Sequence, residues 1–190
     1  MVLDDIRSTL FSKGLQRLLD SSLKDDERVI WQGQPDPLAD FRMLRFLWLI
    51  GIPWLILTYM ARSHHWIDGA ATPLALAGLA IIGGPFAMAL YAMQTLFVIT
   101  DRRAIILRTA WGKRTAASTA LSGMDKLEVL DVGGGAAHLN FATRPSAKLP
   151  DADYTGRYGF RSIRDAEAVR EILKDAIGTR QRNERTSEKH

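Results

Sequence analysis

Two long stretches of this chain carry no charged residue, one over 46–61 and one over 74–100. The first reads FLWLIGIPWLILTYMA, and the second contains LALAGLAIIGGPFAMALYAMQTLFVI. A hydrocarbon core about 30 Å thick is crossed by about 20 apolar residues in helical form, so both runs read as membrane spans. Including 41–45 gives the first run its length, with Arg42 and Arg45 snorkelling to the headgroups. The expected arrangement is a two-helix transmembrane hairpin over 41–95, with spans at about 42–61 and 74–95. Gly83-Gly84-Pro85 should kink the second span or loosen its hydrogen bonding. A buried hairpin of a soluble protein is the alternative, but little else in the chain is large enough to cover it. Neither run holds an acidic or basic residue, which argues against an ion path or proton relay. Ala80 and Gly84 offer one small-residue contact for helix pairing.

Charge placement orients the hairpin. The 190 residues include 25 Lys and Arg and carry a net charge of +4. Seven of these cations precede the first uncharged run, seventeen follow Thr100, and Arg62 alone lies in the connection. Arg42 and Arg45 at the start of the first span, with Arg102, Arg103 and Arg108 after the second, put both termini in the cytoplasm under the positive-inside rule. The basicity is thus a membrane signature rather than a nucleic-acid one. The acidic start MVLDD gives no secretory signal, and the absence of cysteine excludes disulfides and thiolate metal sites.

The segment 1–40 is expected to be cytoplasmic. Leu3, Ile6, Leu10, Leu15, Leu18 and Leu19 suggest an amphipathic helix over 3–19, lying on the inner leaflet or docked onto the domain or a second subunit. A β-prone ERVIWQG over 27–33 is a possible strand. Beyond the second span, period-two alternation predicts strands at 96–100, 104–109, 114–119, 126–132, 136–142 and 157–162. In AAHLNFA, Ala137, Leu139 and Phe141 face one way and His138 and Asn140 the other, with His138 a solvated position on that polar face. Asp165 is a good N-cap for a closing helix whose apolar face holds Ala166, Val169, Ile172, Leu173 and Ala176. Gly178 would end it at a C′ position, leaving 179–190 as a disordered charged tail. The fold class is α+β: a helical hairpin, then a domain over 96–178 of antiparallel strands capped by a C-terminal helix.

The stretches DERVIWQGQPDP at 26–37, FVITDRRAIIL at 97–107 and GFRSIRDAEAVREIL at 159–173, with two adjacent spans between the first two, resemble the bacterial pleckstrin-homology (PH) family. Its members are membrane-tethered bacterial proteins, most of unknown function. The resemblance covers most of 26–177, and Thr-Asp-Arg-Arg and Trp-x-Gly-x-Pro are its sharpest motifs. It implies a bent antiparallel barrel of seven strands capped by the C-terminal helix, on the inner (cytoplasmic) membrane of a bacterium. Segment 144–156 is longer and more irregular than that outline.

Candidate chemistry is sparse. Arg102 and Arg103, helped by Lys113 and Arg114 in the next turn, could hold phosphates of anionic lipid headgroups. Alternatively Asp101 shapes the corner and the arginines mark the cytoplasmic interface. Strand alternation would send Arg102 and Arg103 to opposite faces. Gly133-Gly134-Gly135 lies between strands, so a hairpin tip fits better than a phosphate loop. His64 and His65 lack a third ligand, and Trp66 suits an interface belt. Asp125, Glu128 and Asp131 suit turn or solvent roles. No catalytic set, metal cluster or cofactor motif is legible. The expected function is a non-catalytic, membrane-anchored binding or assembly module with a protein partner or a second copy of itself. Anionic-lipid sensing and an accessory role in a transport or envelope-stress complex are the alternatives.

Overall fold

The computed structural model describes residues 12–67, 69–110, 112–124, 126–142 and 157–187. It is an α+β protein that divides into two units. One comprises the chain up to Asp36 and from Tyr91 onward, the other Pro37–Leu90.

In the first unit, helix α1 (Ser12–Ser22) precedes strand β1 (Val29–Gly33). Strands β2 (Thr95–Thr100), β3 (Arg103–Ala110) and β4 (Lys113–Ala120) follow the helical unit. They form an antiparallel sheet in the order β1-β2-β3-β4. A one-turn 3-10 helix (Leu121–Gly123) leads to a second antiparallel sheet of β5 (Glu128–Gly133), β6 (Ala136–Ala142) and β7 (Tyr158–Arg164). The helical unit is therefore inserted between two hydrogen-bonded neighbours, β1 and β2.

Alternation explains how the layers close. Phe97 and Ile99 of β2, Ile106 of β3, Leu139 and Phe141 of β6 and Phe160 of β7 share one core with Val169 and Leu173 of the closing helix. Phe160 lies between Phe97 (4.7 Å) and Trp31 (5.8 Å), with Phe141 edge-on at 5.0 Å. The other face of β2–β3 is also buried, which is why β2 reads as a continuous apolar run rather than an alternating one. Leu15 and Leu19 of α1 cover Leu96, Val98, Ile105 and Leu107 there. Full burial of each leucine stabilises by about 2 kcal/mol. Of the two positions open for the N-terminal helix, docking onto the domain is the one found over Ser12–Ser22, while its expected beginning at 3–11 lies outside the described residues.

Two expectations are corrected here. Helix α5 (Ala166–Ser187) does not stop at Gly178. Gly178 stays right-handed, its carbonyl accepts from Arg182 Nε (3.4 Å), and residues 179–187 continue the helix instead of forming an unstructured tail. Asp165 takes φ 53°, and its carbonyl accepts the Val169 amide at 3.1 Å. Second, His138 is not simply solvated: its Nδ1 accepts the Ser162 amide at 2.9 Å where β6 and β7 fall out of register, and Asn140 on the same face is buried. Segment 144–156 lies outside the described residues. The glycine tip is a hairpin turn, with φ of 83°, 69° and 79° at Gly133, Gly134 and Gly135. Side chains there would be strained, which is the reason for three glycines.

The second unit is helical: α2 (Pro37–Leu44), α3 (Leu47–Ser63) and most of α4 (Ala71–Met93). The expected first span is not one straight helix. It breaks at Arg45 and Phe46, where α2 and α3 meet at 52°. Among the described residues only α4 is long and apolar enough by itself to cross a bilayer, with α2 and α3 supplying a second crossing if the bent pair is one span. Within α4, Gly83-Gly84-Pro85 produces no break. Helices α3 and α4 run antiparallel, joined by Trp48 Nε1 to the Ile82 carbonyl (3.1 Å) and Trp54 Nε1 to the Leu74 carbonyl (2.8 Å). Their close approach uses Gly51 against Ile82 and Gly78 against Leu55, and Gly84 faces Leu47. Outward-facing Leu49, Ile56, Leu57, Leu76 and Phe86 remain exposed, and only 11% of the apolar window of α4 is buried.

Candidate functional site

The Thr-Asp-Arg-Arg corner joins β2 to β3. Thr100 shapes it: the Oγ1 atom accepts the amides of Arg102 (3.2 Å) and Arg103 (3.0 Å). Asp101 does something else. Its amide donates to the Arg28 carbonyl (3.1 Å) and its Oδ1 accepts the Arg28 amide (3.1 Å), extending the β1–β2 pairing beyond the corner.

Arg103 turns to a carboxylate of its own chain. Its Nε donates to Glu27 Oε1 (2.8 Å) and its Nη2 to Glu27 Oε2 (2.7 Å), a bidentate pair. The same Nη2 donates to the Ser22 carbonyl at 2.8 Å, capping the end of α1. The Glu27 side chain is fully buried, and it also accepts from Thr100 Oγ1 (2.8 Å) and the Lys24 amide (3.1 Å). Arg103 is the main reason the Glu27 carboxyl is lowered from 4.5 to about 2. Burial opposes the shift, and Thr100 and the Lys24 amide reinforce it.

A second lock sits past the other end of β1. Asp36 is 2% exposed, accepts from Arg164 Nε at 3.0 Å through Oδ2, and donates its amide to the Ser162 carbonyl. Between the locks, a Cβ on Gly33 would lie 2.4 Å from the Trp31 ring, so glycine lets the indole lie across the backbone and reach Phe160. The Trp-x-Gly-x-Pro motif and the Thr-Asp-Arg-Arg corner are thus two staples on one strand. Beside them, troughs of ≈ 360 and 370 Å³ run between β1 and α5, sharing Ile172.

The four basic residues considered for lipid phosphates do not converge. Arg102, Lys113 and Arg114 are exposed, whereas Arg103 is engaged. The register pairs Arg103 with Ala120 and Ala110 with Lys113, so the corner and the next turn lie at opposite ends of β3. At about 3.3 Å per residue they are about 23 Å apart.

Arg108, an interfacial cation by charge placement, is buried. Its Nε donates to Thr95 Oγ1 (3.0 Å) and its guanidinium lies 4.2 Å from the Tyr91 ring centre. Only its position within a β-prone run could have signalled this. Glu27 and Asp36 were missed for want of any local signal. Elsewhere, His64 stacks on Trp66, Glu128 pairs with Arg157, and Asp125 lies outside the described residues. Among the described residues no group of three His, Asp or Glu could hold a metal. No protein-family model matches this chain, nor does any curated protein or any solved structure.

Proposed function

We propose that this chain is a non-catalytic, PH-like binding or assembly module anchored in a bacterial cytoplasmic membrane. The hairpin crosses the bilayer twice, and the β-domain and both termini lie on the cytoplasmic face. The observation that carries this reading is the insertion of an apolar, largely uncovered helical unit between β1 and β2. A chain that leaves a sheet, crosses a bilayer and returns to the adjacent strand must re-emerge on the side it left. The four-plus-three strand order with a closing helix supports the PH-type reading, as do the structural roles of its two motifs.

Such an insertion tethers the domain at two points, Asp36–Pro37 and Met93–Thr95. Glu27–Arg103 and Asp36–Arg164 hold the outgoing strand against the returning ones, so the tether pulls on a stapled sheet. Confinement near one leaflet raises the effective concentration for partners there, which is what an assembly module needs. Arg103 and Arg108 still count towards orientation, because the positive-inside rule acts on the chain as it is inserted, before they find internal partners.

The cysteine-free background makes the test direct. The full chain should pellet with membranes after an alkaline wash. In intact cells a membrane-impermeant maleimide should label Trp66→Cys, in the α3–α4 connection, and should reach Lys174→Cys only after permeabilisation. Recovery of the full chain in the soluble fraction, or the reverse labelling pattern, overturns the reading.

A further inference from the structure

The first sheet has two outer strands, and they are treated differently. Strand β1 carries a bulge at Ile30, where Val29 pairs with Thr100 and Trp31 with Ile99. Glycine and proline follow at 33 and 35. Bulges and prolines are devices that blunt a sheet edge against pairing. Strand β4 has neither. Over eight residues it stays in unbroken register with β3, and from Thr115 to Ala120 it holds no charge.

The hydrogen-bonding phase of β4 follows from the structure. The Leu121 amide donates to the Arg102 carbonyl at 3.0 Å, one pair beyond the strand. Antiparallel ladders alternate, so Thr115, Ala117 and Thr119 bond to β3. Arg114, Ala116, Ser118 and Ala120 therefore turn their amides and carbonyls away from β3, and among the described residues nothing pairs with them.

We propose that β4 is a self-association edge, and that the partner it fits is a second copy of this chain, paired antiparallel about a two-fold axis at Ala117. In this register Ala116 faces Ser118 of the second copy and Arg114 faces Ala120. It is the register that satisfies every outward group from Arg114 to Ala120; shifting it by two residues leaves some unpaired. Charge agrees with it. Lys113 and Arg114 fall opposite Leu121 and Ala120, so no cation meets its own image, and Thr115 meets Thr119 in a pairing favoured across strands. Alanine and serine side chains leave nothing to clash. A ladder over one strand is small against the about 1,200 Å² of a stable soluble interface, so the contact needs copies held near one another. Anchoring in a shared membrane does that, and in this respect the inference rests on the proposed function.

The test uses the full chain in native membranes with single cysteines at Ala117, Thr115 or Ala120 and a copper–phenanthroline oxidant. Residues facing each other in a non-hydrogen-bonded pair are about 4.5 Å apart at Cα, within disulfide range. Ala117→Cys should give a covalent dimer about fivefold faster than Thr115→Cys or Ala120→Cys, whose copies lie beyond disulfide reach. Adding Ser118→Pro, which removes an outward amide and spares the β3 ladder, should cut the Ala117→Cys dimer about tenfold. Adding Ala116→Lys instead should do likewise without a change of backbone. Equal, slow cross-linking at all three positions, or cross-linking that survives both additions, overturns the proposal. A membrane-bound chain without the Ala117 cross-link removes the pairing and leaves the anchoring. A soluble chain that still cross-links there removes the anchoring and leaves the pairing.

Discussion

Glu27 and Arg103 stand 76 positions apart in the chain and meet through two hydrogen bonds of 2.8 and 2.7 Å, with the whole helical unit between them. The carboxylate is fully buried and the guanidinium is 22% exposed, so neither partner can be removed without stranding the other. The contact closes the sheet around the insertion.

Replacing one partner should therefore cost more than a surface ion pair would. Arg103→Ala leaves a buried carboxylate and an uncapped α1 end, and should destabilise the β-domain by about 3 kcal/mol. Arg102→Ala, at an exposed position one residue away, should stay within about 0.5 kcal/mol. Urea unfolding of the full chain in detergent, followed by Trp fluorescence, measures both. Equal effects would show that the corner is a surface feature.

Acid should weaken the same lock. The Glu27 carboxyl is depressed from 4.5 to about 2, so its contribution is complete above pH 4.5 and is lost as pH falls towards 2. By linkage the contribution at neutral pH is at most about 3 kcal/mol. The stability gap between the native chain and Glu27→Gln should be constant from pH 7 to 5 and narrow steadily between 4.5 and 2. A gap that does not change over that range would mean the pair does not form.

At the other staple, Gly33→Ala should force the Trp31 ring off its place, since the new methyl would lie 2.4 Å from it. We expect a loss of about 2 kcal/mol and a red-shifted Trp emission as the indole leaves Phe160. Asp36→Asn, which keeps the shape and drops the charge facing Arg164, should cost about 1–2 kcal/mol. An unshifted emission in Gly33→Ala would mean the ring has room to spare.

Arg108→Lys tests whether that buried guanidinium is structural. Lysine keeps the charge but loses the planar stacking on Tyr91 and the Nε bond to Thr95, at a cost of about 1–2 kcal/mol. Lys113→Ala with Arg114→Ala, both exposed, should leave the unfolding midpoint unchanged. A large effect there would point to an unseen contact of that turn.

Local pattern and elementary chemistry were enough to read much of the fold from the residues. The apolar runs, the strands after them, the inward set Ala137, Leu139 and Phe141, and the start of the closing helix depend on period and propensity within a few residues. Where the closing helix ends was misread, because a glycine permits a left-handed stop without compelling one, and Gly178 was carried through by the helix on either side. The straight first span was misread for a related reason: hydropathy reports length and apolarity, and says nothing of a bend at Arg45–Phe46.

What only the tertiary structure decided was the use of the charged residues. Arg102 and Arg103 are chemically identical neighbours, and nothing local says that one is solvated while the other is locked to Glu27. That depends on β1 pairing with β2 across the inserted helices, which brings Glu27, Asp36, Arg103 and Arg164 to the two ends of one strand. A sequence determines by itself what each segment prefers, because those preferences are set by near neighbours. Which distant guanidinium neutralises which buried carboxylate is settled only when the sheet closes and water leaves, since only then does an unpaired charge become costly.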